Sequence, residues 1–387
     1  MVSARRIPLS VPVMRGNEAS YLAECIRSNW VSYLGPFVDR FEREFAHSLG
    51  TPHAVAMNSG TAALHVALLC AGVHAGDEVI LPDLTFIAPA NAATYCGAEA
   101  VFVDVTDDYW QLDIEKVERF LLDDCSLTEA GTVDRSTGRP VTAVVPVHIL
   151  GHPVDMDPLL AIAAKWRLAV IEDATESLGS RYRGRTVGTL GGSACFSFNG
   201  NKIITSGGGG MLTTASKTVA DRARYLSTQA RNDAVEYVHE EVGYNYRLTN
   251  LQAAVGLAQL EQLPSHVERK RTIARRYEDG LSGIPGVLLP KEAPWAFSTF
   301  WLYTIRVGLD ARRTSRELIG DLAVAGIEAR PLWAPLHDQR PYRSARSFGI
   351  ERSSILYAQA VSLPSSVDLT EDDHDRVVAA VRRSLCG

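Results

Sequence analysis

The chain has 387 residues, 46% of them hydrophobic and 22% charged, which is enough apolar material for a large core and, at this length, for two domains. Its 39 Lys plus Arg against 45 Asp plus Glu leave a formal charge of -6 with no basic block, which argues against a nucleic-acid partner. The longest apolar stretch, near Ala62 to Ala71, is interrupted by His65 and falls far short of the roughly 20 residues of a membrane-spanning helix, so no membrane span is expected.

Met1 to Gly16 carries Arg5, Arg6 and Arg15 but no apolar core ahead of a small-residue cleavage site. It does not read as a secretory signal, and a cytoplasmic protein is expected. Up to about residue 250, apolar strand-like runs alternate with helical segments: His53 to Met57, Glu78 to Leu81, Glu99 to Val103, Thr142 to Val147, Leu168 to Ile171 and Ala194 to Phe198. That alternation predicts an α/β domain, residues 1–250, with a mostly parallel central sheet flanked by helices and ligand chemistry at the carboxyl ends of the strands. Thr249 to Leu263 has helical periodicity, and Pro264 ends or kinks it. Then come a charged helix from His266 to Leu281, a turn at Pro285-Gly286 and a strand from Trp301 to Val307. A helix from Thr314 to Ala325, a Pro-rich loop from Arg330 to Pro341 and a closing helix from Glu371 complete a smaller α+β domain, residues 251–387.

Three constellations carry chemistry. Asn58-Ser59-Gly60-Thr61 follows the first strand and opens an Ala/Leu-rich helix, offering backbone N–H groups, hydroxyls and a helix dipole to an anion. A plain Ser/Thr helix cap is the competing reading. Leu168 to Asp173 is an apolar strand ending in two acids. Asp173, away from bulk water, calls for a cation such as a protonated pyridine nitrogen, or else caps a helix. In Ser197-Phe-Asn-Gly-Asn-Lys202, followed by Gly207 to Gly210, a lysine among small neutral residues is placed to lose water, which lowers its pKa and frees its amine to attack a carbonyl. The Gly-Lys spacing is not that of a nucleotide P-loop, and an exposed lysine beside a flexible loop is the bland alternative. The order of the three, phosphate turn, strand-end Asp, then Lys, is what joins them into one site. Six dispersed cysteines, Cys25, Cys70, Cys96, Cys125, Cys195 and Cys386, form no CxxC pair, and most of them read as buried apolar residues. His148 and His152 flank a Gly-His-Pro loop, a weak basis for a metal hydrolase, and no metal is expected.

These residues resemble the DegT/DnrJ/StrS-type sugar aminotransferases, of fold type I among pyridoxal-phosphate (PLP) enzymes. The resemblance runs from Asn29-Trp30-Val31 to Ser362-Leu363-Pro364-Ser365, through His148 to Asp157, Glu172 to Gly179, Ser197 to Lys202, Gly243 to Asn250 and Arg330 to Tyr342. It implies pyridoxal 5'-phosphate as cofactor, with Gly60, Thr61 and Ser197 at the phosphate, Phe86 stacked on the pyridine face, and Asp173 at the ring nitrogen. It places Glu176 near the ring oxygen and Lys202 as the residue that forms the imine. Asn245 is implied to reach the phosphate in the neighbouring subunit, hence a homodimer with shared sites.

The resemblance further implies transfer of an amino group from L-glutamate to a nucleotide-linked keto-sugar. Phe196 to Gly210, with Gly208 in place of the more usual glutamate, and Val238 to Asn250 look nearest to the legionaminic-acid and bacillosamine enzymes, which aminate C4 of a UDP-4-keto-6-deoxy-N-acetylhexosamine. Other readings are a GDP- or dTDP-linked 3- or 4-keto-sugar, a keto-cyclitol, or a cofactor-binding regulator without turnover. Trp30, Ser32, Tyr33, Arg231, His239 and His337 are candidates for the sugar nucleotide, each also readable as packing or surface.

Overall fold

Five apolar runs, each buried along nearly its whole length, build the middle of an eight-stranded sheet: Glu78–Pro82, Glu99–Val103, Val141–Val144, Ala169–Asp173 and Ser193–Ser197. Strands covered on both faces need continuous rather than alternating hydrophobicity, and these sequences provide it. The computed structural model describes residues 5–233 and 235–387. Across the sheet the order is His53–Met57, Gly210–Thr214, Ser193–Ser197, Ala169–Asp173, Val141–Val144, Glu78–Pro82, Glu99–Val103 and Arg346–Phe348. Only Gly210–Thr214 runs against its neighbours; all other pairings are parallel. The expected mostly parallel sheet with flanking helices is therefore what forms.

Two strands of this sheet were not read from the sequence. Gly210–Thr214 follows directly on the glycine run and pairs in register with His53–Met57, Gly210 opposite Met57. Arg346–Phe348 comes from the far end of the chain and adds an edge beside Glu99–Val103. Helix Asn250–Leu260 opens with a full capping box between Thr249 and Gln252. Pro264 does not kink this helix but sits in the first turn of the next, Leu263–Leu281, where its missing N–H costs nothing. Past that helix, a third apolar cluster gathers Tyr277, Ile305, Leu318, Val361 and Val377, and Ile7 from the N-terminal segment packs into it. Among the described residues no helix is long and apolar enough to cross a membrane.

Asn250 ties the N-terminal segment to the large sheet. Its side chain is fully buried; Oδ1 accepts from the Phe37 N–H at 2.9 Å and Nδ2 donates to the Trp30 carbonyl at 2.8 Å. Asn250→Ala removes both partners at once and leaves the Phe37 donor without an acceptor in a dry site. We expect a loss of about 2–4 kcal/mol, read as a lower urea midpoint with unchanged slope.

Candidate active site

Helix Gly60–Cys70 begins where strand His53–Met57 ends, and its N-cap Ser59 accepts from the Ala62 N–H at 3.0 Å. The hydroxyl thus serves as the cap that the bland reading expected, and the N–H groups of Gly60 and Thr61, at the helix start, have no intrahelical acceptor. A methyl group at Gly60 would meet Ser197 Cβ at 3.0 Å and Thr175 Cγ2 at 3.1 Å, and one at Gly210 would meet the Ser59 carbonyl carbon at 2.5 Å. Gly209 holds φ 117°, a conformation that L side chains rarely adopt. The glycine run is therefore a close backbone packing surface for the turn that precedes the helix.

Gly60, Thr61, Phe86, Glu176, Ser197 and Lys202 line one cavity of about 410 Å³ at the carboxyl end of the sheet. Asp173, the last residue of its strand, is 2% exposed and does not itself line the cavity; its Oδ1 accepts at 3.0 Å from the N–H of Thr175, which does. Among the described residues it forms no ion pair. Burial raises its pKa, opposed by Thr175 and by the Lys202 charge. A buried carboxyl lacking a cation beside a glycine cradle next to free helix-start N–H groups is the donor set that a phosphorylated pyridine requires, so the residues present fit pyridoxal 5'-phosphate.

Lys202 Nζ lies 3.7 Å from Glu176 Oε1 and 4.0 Å from the centre of the Trp301 ring. Burial lowers the lysine's pKa, with Glu176 and Asp173 opposing, and burial pushes Glu176 up to about 7. Both shifts favour an uncharged amine beside a protonated carboxyl. Glu176 Oε2 accepts from the Leu150 N–H at 2.8 Å. On the same strand end, Glu172 is also fully buried; burial raises its pKa, but hydrogen bonds from His148 and from the N–H groups of Gly188 and Gly191 hold it below the ordinary value. The Val154 N–H donates to His148 Nδ1 at 3.0 Å and His148 Nε2 lies 3.1 Å from Glu172, so this histidine orients the strand end.

The remaining expected residues stand elsewhere. Asn245 is exposed, and its carbonyl accepts from Asn58 Nδ2, a cavity residue, at 3.1 Å. Arg231 and His239 face each other across a β-bridge on an outlying arm, with Arg231 5.2 Å from the Tyr237 ring centre. Trp30 and Ser32 are exposed and Tyr33 half-buried, in the loop held by Asn250. His337 does not line the cavity; its Nδ1 is 2.8 Å from Asp83 Oδ2, and its N–H donates to the same carboxylate. Trp301, Trp333 and Asn199 line the cavity without having been picked out as site residues; for the two tryptophans no motif or spacing signals that a segment about 100 residues on meets Lys202. A larger cavity of about 620 Å³, against Asp107, Tyr109, Lys116 and Arg352, holds none of the three constellations. All six cysteines are free, and among the described residues no group of His, Cys, Asp or Glu is arranged to hold a metal.

Glu176 generates a pH prediction. Its folded pKa is raised, so the fold favours the protonated form; the stability it contributes is present below about 4.5 and is lost as pH rises toward about 7. Glu176→Gln should flatten that part of the melting-temperature profile of the cofactor-free chain, leaving the variant more stable than the parent at pH 8 but not at pH 4.5. Parallel profiles for the two proteins would show that the carboxyl titrates normally.

The family model for "DegT/DnrJ/EryC1/StrS aminotransferase family" matches residues 12–382. A GDP-perosamine synthase of Caulobacter vibrioides is 41% identical, covering 98% of each chain, and one of Escherichia coli O157:H7 is 39% identical, covering 87% of each. Among solved structures, DesV of S. venezuelae, determined in complex with a ketimine intermediate, superposes with a TM-score of 0.84 at 35% identity, covering 95% of this chain and 94% of that one. With the fold, the cofactor cradle and these likenesses in agreement, this chain belongs to the DegT/DnrJ/EryC1/StrS family of pyridoxal-phosphate-dependent sugar aminotransferases.

Proposed function

We propose that the enzyme transfers the amino group of L-glutamate to a nucleotide-linked keto-sugar, with Lys202 as the residue that carries the cofactor and moves the proton. The observation that carries this is the placement of Lys202 Nζ, on a largely buried side chain, between Glu176 and Trp301 in the same cavity as the helix-opening turn. Gly60, Thr61 and Ser197 would hold the cofactor phosphate, Asp173 the ring nitrogen, and Phe86 the ring face. The bound cofactor supplies an electron sink for the carbanion that forms when the donor loses its α-proton. Lys202, whose charged form burial disfavours, would take that proton on Nζ and return it to the carbon on the other side of the donor's nitrogen. Glu176, protonating near neutrality, buffers the lysine's charge.

Two names among the relatives favour a GDP-linked sugar over the UDP-linked N-acetylhexosamine that the Phe196 to Gly210 stretch suggested. The UDP sugar is the second reading, resting on that stretch alone. Working on a nucleotide sugar, the enzyme would act in the cytoplasm.

The first test is the visible absorption of the holoenzyme before and after L-glutamate. The lysine-bound cofactor band should give way to that of the aminated cofactor, and GDP-, UDP- and dTDP-linked 4-keto-sugars should then restore it to different extents, GDP most. Lys202→Ala should bind cofactor that borohydride cannot fix to the chain, with turnover down by about 100-fold or more. A band indifferent to glutamate would remove the donor from the proposal.

We propose further that the active form is a homodimer in which Asn245 completes the partner's site. Asn245 is exposed and lies beside the cavity turn without lining it, which supports that reading. Chains carrying Lys202→Ala and chains carrying Asn245→Ala, each impaired alone, should recover about a quarter of parental activity when refolded together, because one site of each hybrid is intact. No recovery would place Asn245 in its own chain's site or in none.

A further inference from the structure

Lys270, in the middle of helix Leu263–Leu281, is 2% exposed and, among the described residues, has no carboxylate within ion-pair distance. A buried lysine without a counter-charge is rare and calls for a reason. Its Nζ donates to two backbone carbonyls, that of Trp301 at 2.8 Å and that of Ser365. Burial lowers its pKa to about 7, and an uncharged amine has two N–H donors, one for each of those carbonyls.

Trp301 is the residue whose ring lies over Lys202 Nζ, and its other polar groups are anchored as well. Its N–H donates to the Leu150 carbonyl at 3.0 Å, and its indole N–H to the Asn201 carbonyl at 2.8 Å, next to Lys202 in the chain. Leu150 in turn donates its own N–H to Glu176. The preceding residue, Phe300, is held at φ 47°, a conformation that costs a phenylalanine energy and persists only where its neighbours are fixed. From the long helix Leu263–Leu281, Arg271 holds the Ser298 carbonyl at 2.6 Å and Tyr277 stacks on Tyr303, while Lys270 is the residue that holds the carbonyl of Trp301 itself.

We propose that Lys270 is a positioning residue for Lys202: by holding the Trp301 carbonyl it keeps the indole face against the catalytic amine. The two neighbours of Nζ, the Glu176 carboxyl and the Trp301 residue, then share one backbone, that of Leu150, while Lys270 holds the carbonyl of Trp301. The proposal rests on the assignment of Lys202 as the cofactor-bearing lysine, and its test is made without cofactor so that the two can fail separately.

In the full-length cofactor-free chain, the rate at which a limiting acylating reagent modifies Lys202, located by peptide mass, is followed against pH to give the amine's titration midpoint. Trp301→Leu should move that midpoint by about half a unit or more, because the ring contact acts on the charged form alone. Lys270→Met should move it in the same direction, and adding Lys270→Met to Trp301→Leu should move it no further, although it still lowers the melting temperature. An unchanged midpoint in Lys270→Met, or shifts that add in the double variant, would overturn the proposal. If Lys270→Met does not fold, Lys270→Gln takes its place, and if neither folds the lysine is a structural pin and the proposal fails.

Discussion

The approach of Gly210 to the Ser59–Gly60 peptide is the contact on which the cavity is built. A side chain at Gly210 would fall 2.5 Å from the Ser59 carbonyl carbon, so only a glycine lets the antiparallel strand lie this close to the turn that opens helix Gly60–Cys70. That strand sits between His53–Met57 and Ser193–Ser197, and so it brings the helix start, Ser197 and the Lys202 loop to one end of the sheet. The phosphate cradle and the lysine are thus placed by a single backbone juxtaposition, not by separate local motifs.

Around that contact, burial makes the chemistry. Asp173, Glu176 and Glu172 are removed from water and Lys202 largely so, yet each is left in a different state by what surrounds it. Glu172 gains a histidine and backbone donors and falls in pKa, whereas Asp173 and Glu176 gain little against their desolvation and rise. Two adjacent positions on one strand end, 172 and 173, are therefore tuned in opposite directions. The first is anchored by a histidine and backbone donors, and the second is left, among the described residues, without an ion-pair partner.

Much of this was legible in the chain itself. Parallel strands buried on both faces announce themselves as unbroken apolar runs, and five of the six runs read in this way lie in the middle of the sheet, the sixth at its edge. The residues proposed to hold the cofactor were legible for a related reason. Gly60, Thr61, Asp173, Ser197 and Lys202 each sit at the end of such a run, where α/β sheets collect ligands. What stayed hidden depends on long-range closure. His337 looked like a site residue but is drawn away by the Asp83 carboxylate, which lies more than 250 positions earlier. Trp301 looked like the start of a strand but folds over the lysine.

The sequence by itself determined the class of sheet, the order along it of the residues proposed to hold the cofactor, and the family to which the chain belongs, because each is written in local patterns of apolar runs, glycines and strand ends. Only the tertiary structure decided that Arg346–Phe348 closes the sheet's edge, that the glycine run is a packing surface, and that Trp301 and Lys270 stand behind Lys202. Those features arise where distant segments meet, and the energy that holds them, close packing and hydrogen bonds out of water, has no period or spacing along the chain.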